Sequence, residues 1–168
     1  MKTLSRLFLL VVVSSLFACT ASPLSLYCVM GRNDVTPGVC EAYLTITNTG
    51  NKVIPSDGWT LYFNFMSLHP IYTDGDPLKE TEMQASWHSI VPTSSFVPIA
   101  PGESKTFLMR YRGNAIRQTS YPEGFFLVVG NDEPISIACT YSPYTRQEQM
   151  KRGIATWEKT PYADGSYV

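Results

Sequence analysis

Residues 58–65 read Gly-Trp-Thr-Leu-Tyr-Phe-Asn-Phe, and no other stretch constrains the chain as tightly. Trp59, Leu61, Phe63 and Phe65 recur at every second position, with Thr60, Tyr62 and Asn64 between them. A period of two puts the hydrophobes on one face and the polar residues on the other, the pattern of a half-buried β-strand. So much apolar area on one face exceeds what a lone hairpin can cover, so the strand must lie on a substantial core. Residues 44–55 before it read as a second strand, a turn and an approach, and the rest of the chain is expected to pack onto this pair.

Composition narrows the class. The 168 residues carry a net charge of -1, with 12% aromatic and only 16% charged residues. A balance so close to neutral gives no concentrated basic face, and nucleic acid is not expected as a partner. Prolines and glycines punctuate the chain often, as turn-rich all-β domains require.

The N-terminus has the form of an export signal. Lys2 and Arg6 make a positive start, and residues 7–13 are an apolar run of signal-peptide length, too short to span a membrane as a helix. Leu16-Phe17-Ala18-Cys19 resembles a bacterial lipobox, in which cleavage before the cysteine frees it for lipid attachment. This predicts a signal peptide over 1–18, a lipid-anchored tether over 19–25 and a membrane-anchored lipoprotein of the periplasm or cell surface. Ordinary cleavage near Ala21 would give a soluble secreted or periplasmic protein instead. Several acyl chains on Cys19 would anchor stably.

Cys28, Cys40 and Cys139 remain. Disulfides persist in an exported chain, and three cysteines suggest one pair plus a buried thiol. Cys28–Cys40 would close a short loop, whereas Cys139 lies in the last strand and offers the other partner; both choices stay open. No CxxC spacing exists and His69 and His88 are the only imidazoles, so neither metal nor cofactor is expected.

Taken in order, residues 26–30 read as an edge strand. Glu41 to Thr47 alternates, with Ala42, Leu44 and Ile46 opposed to Tyr43, Thr45 and Thr47. Between Met66 and Thr81 the pattern dissolves, and Asp74-Gly75-Asp76 reads as a solvated turn rather than a calcium loop. Met83 to Val91 is a weak strand carrying Trp87 and His88. Ser104 to Tyr111 is a clear one. Residues 125–129 are continuously apolar, which predicts cover on both faces. Ile135 to Tyr141 is the last strand. Short strands separated by turns predict an all-β sandwich of about seven to nine strands. It is expected over 26–142, followed by a C-terminal tail or linker over 143–168 that holds the one candidate helix, 145–152, and Trp157.

Three segments together, residues 44–50, 58–65 and 87–96, resemble a known module, the N-terminal domain of bacterial chitobiases and related β-N-acetylhexosaminidases. That family pairs an "LT(I/V)TN" strand with a "GWxLYFN" strand. A "HxLxPT" segment follows, met here by His88-Ser-Ile-Val-Pro-Thr93, and then a proline–glycine turn, met by residues 99–104. The match in order and spacing runs from about Glu41 to Tyr141. The resemblance implies an immunoglobulin-like β-sandwich similar to bacterial cellulose-binding domains. In the full enzymes a catalytic barrel with an adjacent Asp-Glu pair follows. A (β/α)₈ barrel needs ~250 residues, and Asp132-Glu133 sits in a turn-like stretch, so hexosaminidase activity does not carry over.

No nucleophile motif accompanies His69 or His88, and His88 is expected to pack or hydrogen-bond rather than catalyse. Binding is the stronger class. Aromatic side chains stack on the CH faces of pyranoses, and Tyr43 and Tyr62 fall on the polar faces of the two best-defined strands. If those strands are neighbours, a strip of Tyr, Thr and Asn faces outward. Tyr43, Tyr62, Asn64 and Trp87 are therefore the candidate carbohydrate-binding residues, while Trp59 belongs to the core. The expected partner is a chitin-like or peptidoglycan-derived glycan of the N-acetylglucosamine type. The alternatives are a module docking an envelope protein, or the truncated remnant of a hexosaminidase.

Overall fold

The computed structural model describes residues 22–31, 38–65, 68–113 and 121–141. Among them lie ten strands: β1 (Leu24–Met30), β2 (Val39–Asn48), β3 (Trp59–Asn64), β4 (His69–Ile71), β5 (Leu78–Gln84), β6 (Trp87–Pro92), β7 (Ser104–Arg112), β8 (Glu123–Val129), β9 (Ile135–Ser136) and β10 (Cys139–Tyr141). They form two five-stranded sheets, ordered β10-β1-β2-β7-β4 and β5-β6-β3-β8-β9. β1 and β10 run parallel, and the other pairings are antiparallel.

Alternation along each strand builds the core. Leu44 and Ile46 of β2 and Phe107 and Met109 of β7 face inward from the first sheet; Leu61 and Phe63 of β3, Ile90 of β6 and Leu127 of β8 meet them from the second. Each such side chain contributes about 1.5–3 kcal/mol on burial, and Leu61→Ala would cost roughly 2–5 kcal/mol because a sandwich interior collapses poorly around a void. Trp59 is core, edge-on to Phe96 with ring centroids 5.4 Å apart, and its indole N–H donates to the Pro55 carbonyl (2.9 Å). On one flank His69 of β4 and Glu82 of β5 bond at 2.6 Å and tie the two sheets together. On the other flank the chain crosses from β9 to β10.

Several expectations need correction. β2 and β3 are not neighbours; they occupy different sheets, so the polar faces carrying Tyr43 and Tyr62 lie on opposite outer surfaces of the sandwich. β1 begins at Leu24, inside the stretch expected to be tether, and is no edge strand, because β10 covers its other side. The expected patternless stretch, residues 66–81, carries strands within its described part, 68–81. β4 is a three-residue edge strand containing Pro70, tolerated there because an edge position leaves the missing N–H unneeded. β5 and β6 form a hairpin around Ala85 and Ser86, with Ala85 at φ 51°. The final strand splits in two, one piece in each sheet.

Nor do the three cysteines form a disulfide; all are thiols. Register explains why. Cys28 is level with Leu44, four residues along β2 from Cys40, or about 13 Å at strand rise. Cys40 and Cys139 have the whole of β1 between them, two strand spacings or about 9.5 Å. Cys139 is level with Leu26, which puts its Cα ~8 Å from that of Cys28, beyond the ~7 Å limit for bridging.

Candidate functional site

The outer face of the second sheet gathers three aromatic side chains that the core does not use, Tyr62, Trp87 and Phe126. Thr60, Tyr62 and Asn64 point outward from β3, Trp87 and Ser89 from β6, and Phe126 and Val128 from β8, since their inward neighbours are buried. Pairing sets Tyr62 opposite Phe126 on one side and Ser89 on the other, and Asn64 opposite Trp87 and Glu123. A register shift between Tyr62 and Asn64 bends β3 at this point.

The three rings pack on one another. Tyr62 lies 5.0 Å from Phe126 with planes 17° apart, and 6.1 Å from Trp87 at 23°; Trp87 and Phe126 are 5.5 Å apart and tilted by 39°. Such pairs are worth roughly 0.5–1.5 kcal/mol beyond area burial, so the cluster is preorganised without a ligand. All three residues are half-buried, and Asn64 at their margin is exposed. The arrangement offers apolar ring surface beside an amide that both donates and accepts hydrogen bonds.

Tyr43, the fourth candidate, stands on the opposite surface. Its ring lies over Gly31, where a Cβ would fall 3.0 Å from Tyr43 Cε2 and 2.8 Å from the Glu41 carbonyl oxygen. Tyr27, at 41% exposure, shares that face on the adjacent strand. The hydroxyls around them are already paired across the sheet, Thr45 with Thr106 and Thr47 with Ser104, both at 2.8 Å. The structure thus brings Tyr62, Asn64 and Trp87 together, and leaves Tyr43 apart from them.

Phe126 escaped the sequence reading because it sits in the run expected to be covered on both faces. In fact Phe125 and Leu127 are buried, while Phe126 and Val128 are half-buried and Val129 is exposed. The usable signal was its register with Tyr62.

A second polar constellation is sealed in the core. Tyr111 donates its hydroxyl to Glu80 Oε2 (2.7 Å), and one proton joins His88 Nδ1 to Glu80 Oε1 (2.9 Å). His88 stacks on Phe63 and meets Phe65 edge-on, and only 1% of its surface is exposed. Burial raises the Glu80 carboxyl above its ordinary value, opposed by its hydrogen bonds to His88 and Tyr111; burial also raises the Tyr111 phenol, helped by the Glu80 charge. No substrate reaches these groups, so they hold β5, β6 and β7 together. The Asp74–Asp76 turn closes on itself: Asp76 N–H donates to the Thr73 carbonyl (2.9 Å) and Thr73 N–H to Asp76 Oδ2 (2.9 Å), and Asp76 also pairs with Arg110 at 3.6 Å. Cys19, Trp157, the residue 145–152 segment and the tail lie outside the described residues.

Comparison with known proteins gives a family and a fold. The CHB_HEX family model, described as "Putative carbohydrate binding domain", matches residues 20–163. No curated protein matches the sequence. Among solved structures, the GH20 exo β-N-acetylglucosaminidase of Vibrio harveyi, in complex with N-acetylglucosamine, aligns at a TM-score of 0.51 and 16% identity, over 84% of this chain and 19% of that one. An inactive mutant of the enzyme gives 0.50 and 15% over the same shares. A mutant carbohydrate-binding module, CBM3b, from cellobiohydrolase 9A of Clostridium thermocellum gives 0.48 and 13%, over 68% of this chain and 97% of that one. The chain spans about a fifth of the length of the Vibrio enzyme, and the likeness is one of fold.

Proposed function

The chain belongs to the carbohydrate-binding domain family whose model matches residues 20–163, and from that premise we propose that it is a non-catalytic module that binds glycans through the outer face of the second sheet. The observation that carries this reading is the cluster of Tyr62, Trp87 and Phe126, three mutually packed rings on an open surface with the exposed Asn64 beside them. The rings supply apolar area to the CH faces of a pyranose, and the Asn64 amide supplies hydrogen bonds to its hydroxyl or acetamido groups. Because the cluster is already packed, little ordering is required on binding, which favours affinity.

Glycans of the N-acetylglucosamine type, chitin-like or peptidoglycan-derived, are the first class to test, since the Vibrio harveyi exo β-N-acetylglucosaminidase that shares this fold is in complex with N-acetylglucosamine. The signal-like residues 1–18 and Cys19 support the further reading of an exported, lipid-anchored protein, for which incorporation of labelled fatty acid into wild type but not Cys19→Ser is the test. For binding, isothermal calorimetry of the protein with N-acetylglucosamine oligomers should show saturable heat. The absence of binding to these oligomers, to chitin and to peptidoglycan fragments would remove the proposal and leave an envelope-protein dock as the alternative.

A further inference from the structure

Beside the ring cluster the sandwich opens. The chain leaves the second sheet after Ser136 and enters the first at Cys139, and the crossing is fastened at both ends: Ile137 N–H donates to the Phe125 carbonyl (2.9 Å) and Leu26 N–H to that of Ala138 (3.0 Å). Against this crossing lies a cavity of about 600 Å³, whose wall includes Glu123, Phe126, Ser136, Cys139 and Tyr141. That volume is within the ~300–1,000 Å³ of small-ligand sites. Phe126 belongs to both the cavity wall and the ring cluster, so the two adjoin at this residue.

The polar groups of the wall are not equally available. The Tyr141 hydroxyl donates to the Pro122 carbonyl, and the Cys139 thiol makes a long contact to the Thr140 carbonyl (3.7 Å). Among the described residues Glu123 makes no ion pair, and no lysine, arginine or histidine lines the cavity. A carboxylate accepts hydrogen bonds and has none to offer, and it holds an ammonium group by a charge-assisted bond that a neutral amide cannot equal.

We propose that this cavity is a subsite of the glycan site and receives a sugar whose amino group is free, read by the Glu123 carboxylate. The proposal rests on the glycan reading of the ring cluster, and adds to it a ligand class, the deacetylated amino sugars.

The test is calorimetry of the full chain with matched glucosamine and N-acetylglucosamine oligomers at mildly acidic pH, where the amine is charged. The glucosamine oligomer should bind about twofold to fivefold more tightly, the range of an exposed ion pair, and the preference should vanish in Glu123→Gln and shrink in high salt. Cys139 gives a second readout, because it is the cavity's thiol while Cys28 and Cys40 are buried. Either oligomer should slow its alkylation, scored by peptide mass mapping. Equal affinities, a preference that survives Glu123→Gln, or unprotected Cys139 in a sugar-saturated protein would overturn the subsite while leaving the ring-cluster site standing. Binding of neither oligomer would overturn the subsite, and together with no binding to chitin or peptidoglycan fragments it would overturn both.

Discussion

Glu80 offers the sharpest test of how the interior is held. Truncation to alanine leaves the Tyr111 hydroxyl and the His88 imidazole without their shared acceptor in a site where His88 is 1% exposed and Tyr111 4%. Each buried polar group left unpaired costs about 1–3 kcal/mol, or roughly 2–6 kcal/mol for the two together. Against a total stability of about 5–15 kcal/mol, Glu80→Ala should lower Tm by roughly 10–20 °C. Glu80→Gln keeps the size and an acceptor for Tyr111, and should lose far less. Its value lies in pH. The folded-state pKa of Glu80 is raised above its ordinary 4.5, so its contribution is fully present below that value and is lost as pH rises through the raised one. Glutamine does not titrate. The stability of wild type relative to Glu80→Gln should therefore fall as pH climbs from 4.5 toward neutrality, measured by denaturant titration of tryptophan fluorescence. A gap that is independent of pH or widens with it, or a Glu80→Ala variant within ~1 kcal/mol of wild type, would refute the reasoning.

Other positions give independent checks. Asn48, 1% exposed, donates to the Lys52 and Ile99 carbonyls at 2.8 Å and accepts from Gly50 N–H at 3.0 Å; Asn48→Ala should cost about 3 kcal/mol in denaturant titration. Ala85 holds φ 51° in the β5–β6 turn, so Ala85→Gly should raise stability by up to ~1 kcal/mol, seen as a higher denaturation midpoint. With no disulfide among Cys28, Cys40 and Cys139, reductant should leave Tm unchanged, where loss of a native bridge would cost roughly 2–5 kcal/mol. Alkylation of the native protein should reach Cys139 alone of these three, and faster as pH rises, because burial pushes its thiol up to about 11.

What the sequence made legible follows from where one face is purely apolar. β2, β3 and β7 alternate cleanly, and their inward residues are the ones found in the core. β5 was missed because Glu80 points inward, where the pattern rule expects a hydrophobe, and β4 because three residues with a proline carry no period. Which sheet a strand joins is not written in its alternation: β2 and β3 present the same Thr/Tyr outer face, yet they lie on opposite sides of the sandwich. Hence alternation marks Tyr43, Tyr62 and Asn64 as outward-facing, while the sheet order alone separates Tyr43 from the others, brings Trp87 beside Asn64 and makes Phe126 visible through its pairing with Tyr62. The cysteine pairing failed for the same reason, since it depends on register between strands far apart in the chain.

That opposition of the two faces supplies its own control for the central claim. Tyr62→Ala and Tyr43→Ala remove the same group from opposite outer surfaces, at half-buried and exposed positions that the core does not require. In parallel calorimetric titrations with an N-acetylglucosamine oligomer, Tyr62→Ala should weaken binding about thirtyfold, the ~2 kcal/mol of a ring at the centre of a contact, while Tyr43→Ala should match wild type. A protein that keeps full affinity without Tyr62, or loses it without Tyr43, would contradict the account.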